Sequence, residues 1–339
     1  MTLVYVANED SNNISVIDTK THNVIATIPV GDLENVMDIV IAFTPDGKFA
    51  YVANEGSRNV SVIDTKTHTV VATVPAGEDP DGIVITSDGK LAYVANDISE
   101  DVTVIDTKSH NVVATVPLTA GVNFPIGMAV TPNGKLVYVS GPTGQISVIN
   151  TDTHSVIATV AVGENPLRMA FTPDSKLAYV VLQESGSVSV IDTKSHLVIA
   201  TVLIGNIINY ISITPDGKLA FITSDFGGDI FIIDTKSHSL ITTIDTGNIE
   251  TGQTVFSPDG KVAYVSGNDN IFFVDVKTHS TIGTVLGNFS PQIAITRKGE
   301  YVYFISSVST ISVLDTKTYG VVATVTVGAI PSDLAISPK

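Results

Sequence analysis

Several residue types are missing or scarce in this chain, and each absence narrows its function. Cysteine is absent, which excludes disulfides, thiolate metal sites and a cysteine nucleophile. Charged residues make up only 15% of the sequence. No apolar run approaches the roughly 18 residues of a membrane-spanning helix, so we expect no membrane insertion. The formal net charge of −16 argues against nucleic acid and anionic membranes as partners.

What the sequence has instead is an internal repeat of 40 to 46 residues, rich in Val, Ile and Thr, the residue types that favour strands. A segment of the type Val-Ile-Asp-Thr-Lys recurs along the whole chain. Its acid, or the asparagine that replaces it, falls at Asp18, Asp64, Asp106, Asn150, Asp192, Asp234, Asp275 and Asp315. A Tyr-Val-Ala-Asn type of segment precedes each of these, and most copies also carry a turn of the type Thr-Pro-Asp-Gly-Lys.

The pattern of each repeat predicts four short strands separated by turns. Strands this short and apolar must stack sheet on sheet, and a four-stranded unit of this length is typical of a propeller blade. The sequence therefore predicts an all-β, eight-bladed β-propeller with four-stranded antiparallel blades, in one domain over residues 1–339. The chain starts at the second strand of a blade and ends on an extra first strand near Asp333. We expect this C-terminal strand to close the first blade and leave no open sheet edge.

The repeated motifs resemble the YVTN family of β-propeller repeats. The resemblance rests on Tyr-Val-Ala-Asn at residues 51–54, Val-Ile-Asp-Thr at 62–65 and Thr-Pro-Asp-Gly-Lys at 44–48, with their copies along the chain. It implies a surface-layer-type propeller and an extracellular or cell-surface location. Many members are seven-bladed, whereas eight copies occur here. We find no signal peptide in this sequence, which leaves a cytoplasmic location open.

The acidic residues are distributed unevenly between the two faces of the predicted propeller. Turns on one face, the bottom, pair acids with lysines, whereas loops on the opposite face, the top, carry most of the excess acid. We expect the top loops around Asp97, Glu100 and Asp101 to bind a protein or glycan partner with a basic surface. Ca²⁺ is an open option on this face, although no complete calcium-loop motif is present and no metal ligands are identified. The alternative is that acidic loops only keep the protein soluble.

One repeat position near the top of each blade's first strand breaks the pattern. That strand lines the central channel of a propeller, so these side chains should meet at its mouth. Five of them are polar or aromatic and form the predicted ligand site: Arg168, Tyr210, Gln253, Gln292 and Asp333. Drift of unconstrained residues in a solvated channel is the competing explanation.

The histidines do not indicate catalysis. All seven occupy one repeat position after the third strand, and neighbouring sheets lie about 10 Å apart, too far for two equivalent histidines to share a zinc ion. The sequence also has no Gly-x-Ser-x-Gly motif, which argues against a Ser-His-Asp hydrolase. We interpret the histidines as structural.

Two functions from different classes follow. The first is a non-enzymatic binding scaffold, not an enzyme, acting as a monomer without a cofactor through its acidic top loops. The alternative is a propeller enzyme of the lactonase, lyase or hydrolase type, with a metal or polar site at the channel mouth. For that alternative the sequence offers the carboxylates of Asp333, Asp38 and Asp81 near the axis. A third hypothesis is that the propeller is a structural spacer within a larger surface protein.

Overall fold

The computed structural model of the chain describes residues 2–33, 40–118, 122, 124–125, 127–205, 207–224, 227–247, 249–268, 270–287 and 291–338. Within these residues, thirty-two strands form eight separate four-stranded antiparallel sheets. No helix in this part of the chain is long and apolar enough to cross a membrane.

The first four sheets follow the chain in order, except that blade 1 takes its innermost strand from the C-terminal end. Blade 1 contains β1 (Leu3–Asn8), β2 (Asn13–Asp18), β3 (Asn23–Pro29) and β32 (Pro331–Ile336). Blade 2 contains β4 (Ile41–Phe43), β5 (Phe49–Asn54), β6 (Asn59–Asp64) and β7 (Thr69–Pro75). Blade 3 contains β8 (Pro80–Ile85), β9 (Leu91–Asn96), β10 (Asp101–Asp106) and β11 (Asn111–Pro117). Blade 4 contains β12 (Gly127–Val130), β13 (Leu136–Gly141), β14 (Gln145–Asn150) and β15 (Ser155–Ala161).

The remaining four sheets each use consecutive strands. Blade 5 contains β16 (Pro166–Phe171), β17 (Leu177–Leu182), β18 (Ser187–Asp192) and β19 (Leu197–Leu203). Blade 6 contains β20 (Ile208–Ile213), β21 (Leu219–Ser224), β22 (Ile230–Asp234) and β23 (Ser239–Ile244). Blade 7 contains β24 (Thr251–Phe256), β25 (Val262–Gly267), β26 (Asn270–Asp275) and β27 (Ser280–Leu286). Blade 8 contains β28 (Ile293–Ile295), β29 (Tyr301–Ser307), β30 (Thr310–Asp315) and β31 (Gly320–Thr326).

The innermost strands close a ring around the axis. Each of them contacts the innermost strand of the next blade, in the order β32, β4, β8, β12, β16, β20, β24, β28 and back to β32. In blade 1, β1 pairs with β32, with Val4 opposite Ile336 and Val6 opposite Leu334. The Ser337 amide also donates to the Leu3 carbonyl over 2.8 Å. The predicted eight-bladed propeller, closed by the C-terminal strand, is confirmed.

The hydrophobic core lies between adjacent blades rather than inside any one sheet. Between blades 2 and 3, for example, Tyr51 and Val62 pack against Ile83 and Val94, and all four side chains are at most 1% exposed. Middle strands are therefore apolar on both faces. Full burial stabilises each such aliphatic side chain by about 1.5–3 kcal/mol, which explains why the repeat keeps β-branched residues there.

In blades 1 to 3 the second strand ends, at the top of the blade, in a buried asparagine, at Asn8, Asn54 and Asn96. In blade 2, Asn54 Nδ2 donates to Asn59 Oδ1 over 2.8 Å and to Ser61 Oγ over 2.9 Å. A Cβ at Gly31, in the loop arriving from blade 1, would lie 2.8 Å from the Asn54 side chain. Glycine is thus needed where the incoming loop crosses the next blade.

Hydrogen bonds between tyrosine and histidine side chains connect adjacent blades near the bottom face. The Tyr5 hydroxyl lies 3.2 Å from His68 Nδ1 in the next blade. The same contact recurs in five more described pairs, Tyr51–His110, Tyr93–His154, Tyr138–His196, Tyr179–His238 and Tyr303–His22. These six histidines therefore connect neighbouring repeats.

The outer strands expose their edges but interrupt them with a bulge. In blade 5, Val190 lies opposite Ala200 and Ile191 opposite Val198, which leaves Ile199 as the extra residue. The outer pairs of the other seven blades carry a bulge at the same place. A bulge disturbs the hydrogen-bonding ladder, so these uncharged edges are poor templates for pairing with another chain.

Candidate functional site

Four adjacent inner strands, β12, β16, β20 and β24, line a concave pocket of about 200 Å³ at the channel mouth. Its lining comprises Gly127, Met128, Arg168, Met169, Tyr210, Ile211, Ser212, Gln253 and Thr254. Ligand pockets commonly measure about 300–1,000 Å³. The pocket therefore suits a molecule of only a few heavy atoms.

Close packing of the inner strands shapes one side of this pocket. A Cβ at Gly127 would lie 2.3 Å from the Leu167 carbonyl oxygen, a distance that no side chain tolerates. The same carbonyl accepts a hydrogen bond of 2.7 Å from Ser140 Oγ. Gly127 thus lets β16 approach β12 and sets the position of the strand that carries Arg168.

The guanidinium of Arg168 is held by two neighbours on β20. Arg168 Nη1 donates to Asn209 Oδ1 over 2.7 Å. Arg168 Cζ lies 4.2 Å from the centroid of the Tyr210 ring, within the range of a favourable cation–π contact. Tyr210 is itself buried, so it forms a firm platform, and the guanidinium plane has a defined orientation.

The polar groups on the far side of the pocket are also fixed by the backbone. Gln253 Oε1 accepts a hydrogen bond of 3.3 Å from the Ile293 amide, which leaves the NH₂ end of the side chain as its donor group. Ser212 Oγ donates to the Thr254 carbonyl over 2.8 Å. Among the described residues of the lining, Arg168 is the one with a charge. The pocket is therefore positive, although the protein as a whole is strongly acidic.

The structure brings three of the five predicted mouth residues together. Arg168, Tyr210 and Gln253 line the pocket, whereas Gln292 and Asp333 do not. Gln292 lies half-buried just before β28. The third carboxylate proposed for the axis, that of Asp38, falls outside the described residues.

Asp333 lies on the opposite side of the ring, four blades away from Arg168. It is buried, and its Oδ2 accepts hydrogen bonds of 3.1 Å from the amides of Val40 and Ile41. Burial raises the pKa of this carboxyl to about 6, although the backbone hydrogen bonds oppose the shift. The side chain joins β32 of blade 1 to β4 of blade 2 instead of projecting into the pocket.

An acidic cluster occupies the top face between blades 2 and 3. It contains Glu55, Asp79, Asp81 and Asp97, and Glu55 shares a hydrogen bond with Asp79. Burial, followed by the charges of Asp79 and Asp81, raises the pKa of Glu55 to about 8. Burial and the same two carboxylates raise the pKa of Asp97 to about 6. The sequence indicated an acidic top face but not this convergence, because its members come from loops of two different repeats.

The predicted partner-binding residues have different surroundings. Asp97 belongs to the acidic cluster, while Asp101 Oδ1 accepts a hydrogen bond of 2.7 Å from Asn96 Nδ2 and stabilises its own blade. Glu100 adopts a left-handed backbone conformation, with φ of 52°, in the turn between them. Within the described residues, no group of three or more His, Asp or Glu side chains could hold a metal ion.

Comparisons with known proteins place the chain among the propellers. The family model "Lactonase, 7-bladed beta-propeller" matches residues 40–157 and 69–196, which together span just under half of the chain. No curated protein matches. The dihydro-heme d1 dehydrogenase NirN, solved in complex with DHE, shares 17% identity and a TM-score of 0.81, over 98% of this chain and 74% of that one.

Two further solved structures share the fold at low identity. Hydrazine synthase of Kuenenia stuttgartiensis is 18% identical with a TM-score of 0.64, over 87% of this chain and 98% of that one. A functionally unknown protein from Desulfotomaculum acetoxidans DSM 771 is 19% identical with a TM-score of 0.67, over 85% and 98% respectively. At this identity the three structures support the propeller architecture alone.

The family match corrects one expectation from the sequence. We expected a chain that is not an enzyme, and that expectation is wrong, because the matching model describes lactonases. The expectation failed because the repeated residues serve the fold, and a fold by itself does not determine whether a protein is an enzyme.

Proposed function

We propose that this protein is a hydrolase of the lactonase type, which opens small lactones or related esters in the channel-mouth pocket. The observation that carries the proposal is the Arg168 guanidinium, oriented by Asn209 and Tyr210 in a pocket whose described lining residues include no acid. The match to a lactonase family model supports the reaction class.

The chemistry of lactone opening suits a fixed guanidinium. The oxygen of a water molecule bonds to the acyl carbon, the ring C–O bond breaks, and the leaving oxygen takes up a proton to give a hydroxy acid. Negative charge develops on the carbonyl oxygen in the transition state. N–H donors already oriented toward that oxygen stabilise it, and loss of one such donor typically slows the reaction about 10²–10³-fold.

The rest of the pocket can position the substrate. Gln253 supplies a donor group, while Met128, Met169 and Ile211 supply apolar surface. Holding the acyl carbon in a fixed place beside Arg168 lowers the entropic part of the barrier. The small volume restricts the substrate to compact rings.

The test compares two arginines on the same face. Arg58 lies in a top loop, where it forms an exposed ion pair with Glu78, so Arg58→Gln changes the net charge as Arg168→Gln does but leaves the pocket intact. We expect wild type and Arg58→Gln to hydrolyse members of a lactone and ester panel with equal kcat/KM. Arg168→Gln should lower kcat/KM about 100-fold. No turnover by wild type, or equal turnover by Arg168→Gln, would contradict the proposal.

A further inference from the structure

We infer that the substrates are uncharged, short aliphatic lactones, and that the ring-opened hydroxy-carboxylate stays bound to Arg168 as a competitive product inhibitor. This inference rests on the proposed function, because it places the ligand in the same pocket. It goes further by naming the charge and the size of the substrate.

The pocket contains few cationic side chains, and their number limits the charge of the substrate. Arg168 is the one charged residue among the described residues of the lining. The proposed reaction assigns its guanidinium to the acyl oxygen. A phosphate or a second carboxylate elsewhere on the substrate would need further cationic groups, since such anions are held by charge-assisted hydrogen bonds. The described lining residues provide no further cation, so the substrate itself should be neutral.

The second step is the geometry of the guanidinium. Tyr210 covers one face at 4.2 Å, and Arg168 Nη1 donates to Asn209 Oδ1 in the plane of the group. A planar guanidinium restrained in this way presents its donors edge-on, which matches the two oxygens of a carboxylate. The oxygen that becomes negative in the transition state is one of those two oxygens in the product. The same contact that accelerates ring opening therefore retains the acid that is formed.

The third step is the electrostatic field of the whole molecule. A net charge of −16 and the acidic cluster on the same face repel anions, and the repulsion grows with the charge of the ligand. A monocarboxylate held by one guanidinium tolerates this field better than a phosphate dianion. Neutral substrates enter without any electrostatic penalty.

The fourth step is the size and polarity of the remaining lining. About 200 Å³ beside Met128, Met169 and Ile211 suits a chain of a few methylene groups. Gln253 offers a donor group to the hydroxyl that is released when the ring opens. A short aliphatic hydroxy acid can contact Arg168 through its carboxylate and Gln253 through its hydroxyl.

The experiment is calorimetric titration with γ-hydroxybutyrate, its neutral matched analogue γ-hydroxybutyramide, and inorganic phosphate. We expect γ-hydroxybutyrate to bind wild type and Arg58→Gln equally, and to bind Arg168→Gln at least tenfold more weakly. Arg168→Lys should be intermediate, because it keeps the charge but loses the planar fork. The amide and phosphate should bind at least tenfold more weakly than the carboxylate. A thermal-unfolding scan checks that each variant is folded.

The outcomes separate this inference from the proposed function. Equal binding of γ-hydroxybutyrate to wild type and Arg168→Gln, or tighter binding of phosphate, would overturn the inference. Turnover of phosphorylated but not neutral lactones would also overturn it, while the proposed function would stand. Arg168-dependent carboxylate binding without any lactone turnover would overturn the proposed function and the inferred substrate, and would leave only the carboxylate site. Turnover of γ-butyrolactone with competitive inhibition by γ-hydroxybutyrate would support both.

Discussion

His22 Nδ1 lies 2.8 Å from the hydroxyl of Tyr303, so a hydrogen bond joins the first blade to the eighth. Tyr303 is fully buried, and burial raises the pKa of its hydroxyl well above the usual range. Burial also lowers the pKa of His22, although Asp18 opposes this shift. Both shifts favour the uncharged forms. The bond therefore links two neutral side chains across the seam of the ring.

Tyr303→Phe should destabilise the protein because it removes this bond and keeps the ring packing. We expect a loss of about 1 kcal/mol in the free energy of unfolding, measured by urea denaturation at neutral pH. A phenyl group is sterically acceptable here, since Phe221 occupies the corresponding position of blade 6. The control is Tyr301→Phe on the same strand, whose ring also contacts His22 but whose hydroxyl has no hydrogen-bond partner among the described residues. Equal losses in the two variants would show that the bond contributes nothing.

Glu55→Gln should make the stability of the protein less sensitive to alkaline pH. The pKa of Glu55 is raised from 4.5 to about 8 in the folded protein, so the folded state favours the protonated carboxyl. This contribution to stability is fully present below pH 4.5 and is lost as the pH rises through about 8. We therefore expect the Tm of wild type to fall between pH 5 and pH 9 more steeply than that of Glu55→Gln.

The matched control for Glu55 is Glu9→Gln, which removes the same charge at the corresponding position after β1, outside the acidic cluster. It should retain the wild-type pH dependence. Parallel curves for wild type and Glu55→Gln would mean that the cluster does not hold a proton in the folded state.

Asp333→Ala should weaken the closure of the ring. It deprives the Val40 and Ile41 amides of their buried acceptor, and each unsatisfied buried donor costs about 1–3 kcal/mol. Asp333→Asn keeps an acceptor oxygen, so we expect a smaller loss than for Ala in urea denaturation at pH 7. A wild-type midpoint for Asp333→Ala would refute this role.

The pH dependence of Asp333 provides a second readout. Its pKa is raised from 3.8 to about 6 in the folded protein, so its contribution is fully present below pH 3.8 and is lost as the pH rises through about 6. Asp333→Asn cannot titrate, and its stability should vary less than that of wild type between pH 4 and pH 6.5. An unchanged slope would indicate that the carboxyl is already ionised throughout this range.

The fold could be predicted from the sequence because each repeat carries the residue pattern of its own strands and turns. Eight copies of a segment of the type Val-Ile-Asp-Thr set the blade count, and the unpartnered strand around Asp333 indicated the closure. The pocket could be located in part for the same reason. Arg168, Tyr210 and Gln253 share one repeat position, and equivalent positions on adjacent inner strands must be neighbours.

What the sequence could not show was the direction of individual side chains. Asp333 occupies the same repeat position as Arg168 but turns to the amides of β4, and that choice depends on the adjacent blade. The hydrogen bond between Glu55 and Asp79 could not be predicted either, because it arises where a loop of one repeat lies over the loop of the next. Aligning the repeats predicts where a residue lies in its blade. The burial of its side chain and its contacts with the adjacent blade determine its protonation and its hydrogen bonds.

The pairing of β1 with β32 also constrains how the chain can fold. The hydrogen bond from the Leu3 amide to Ser337 Oγ spans 334 residues, while the other seven sheets pair strands that are consecutive in the chain. Blades 2 to 8 can therefore form in order as the chain is synthesised, whereas blade 1 pairs β1 with β2 early and is completed only when β32 is available. Contacts this distant in sequence are slow to form. Completion of the first blade should thus be the final and slowest step of folding.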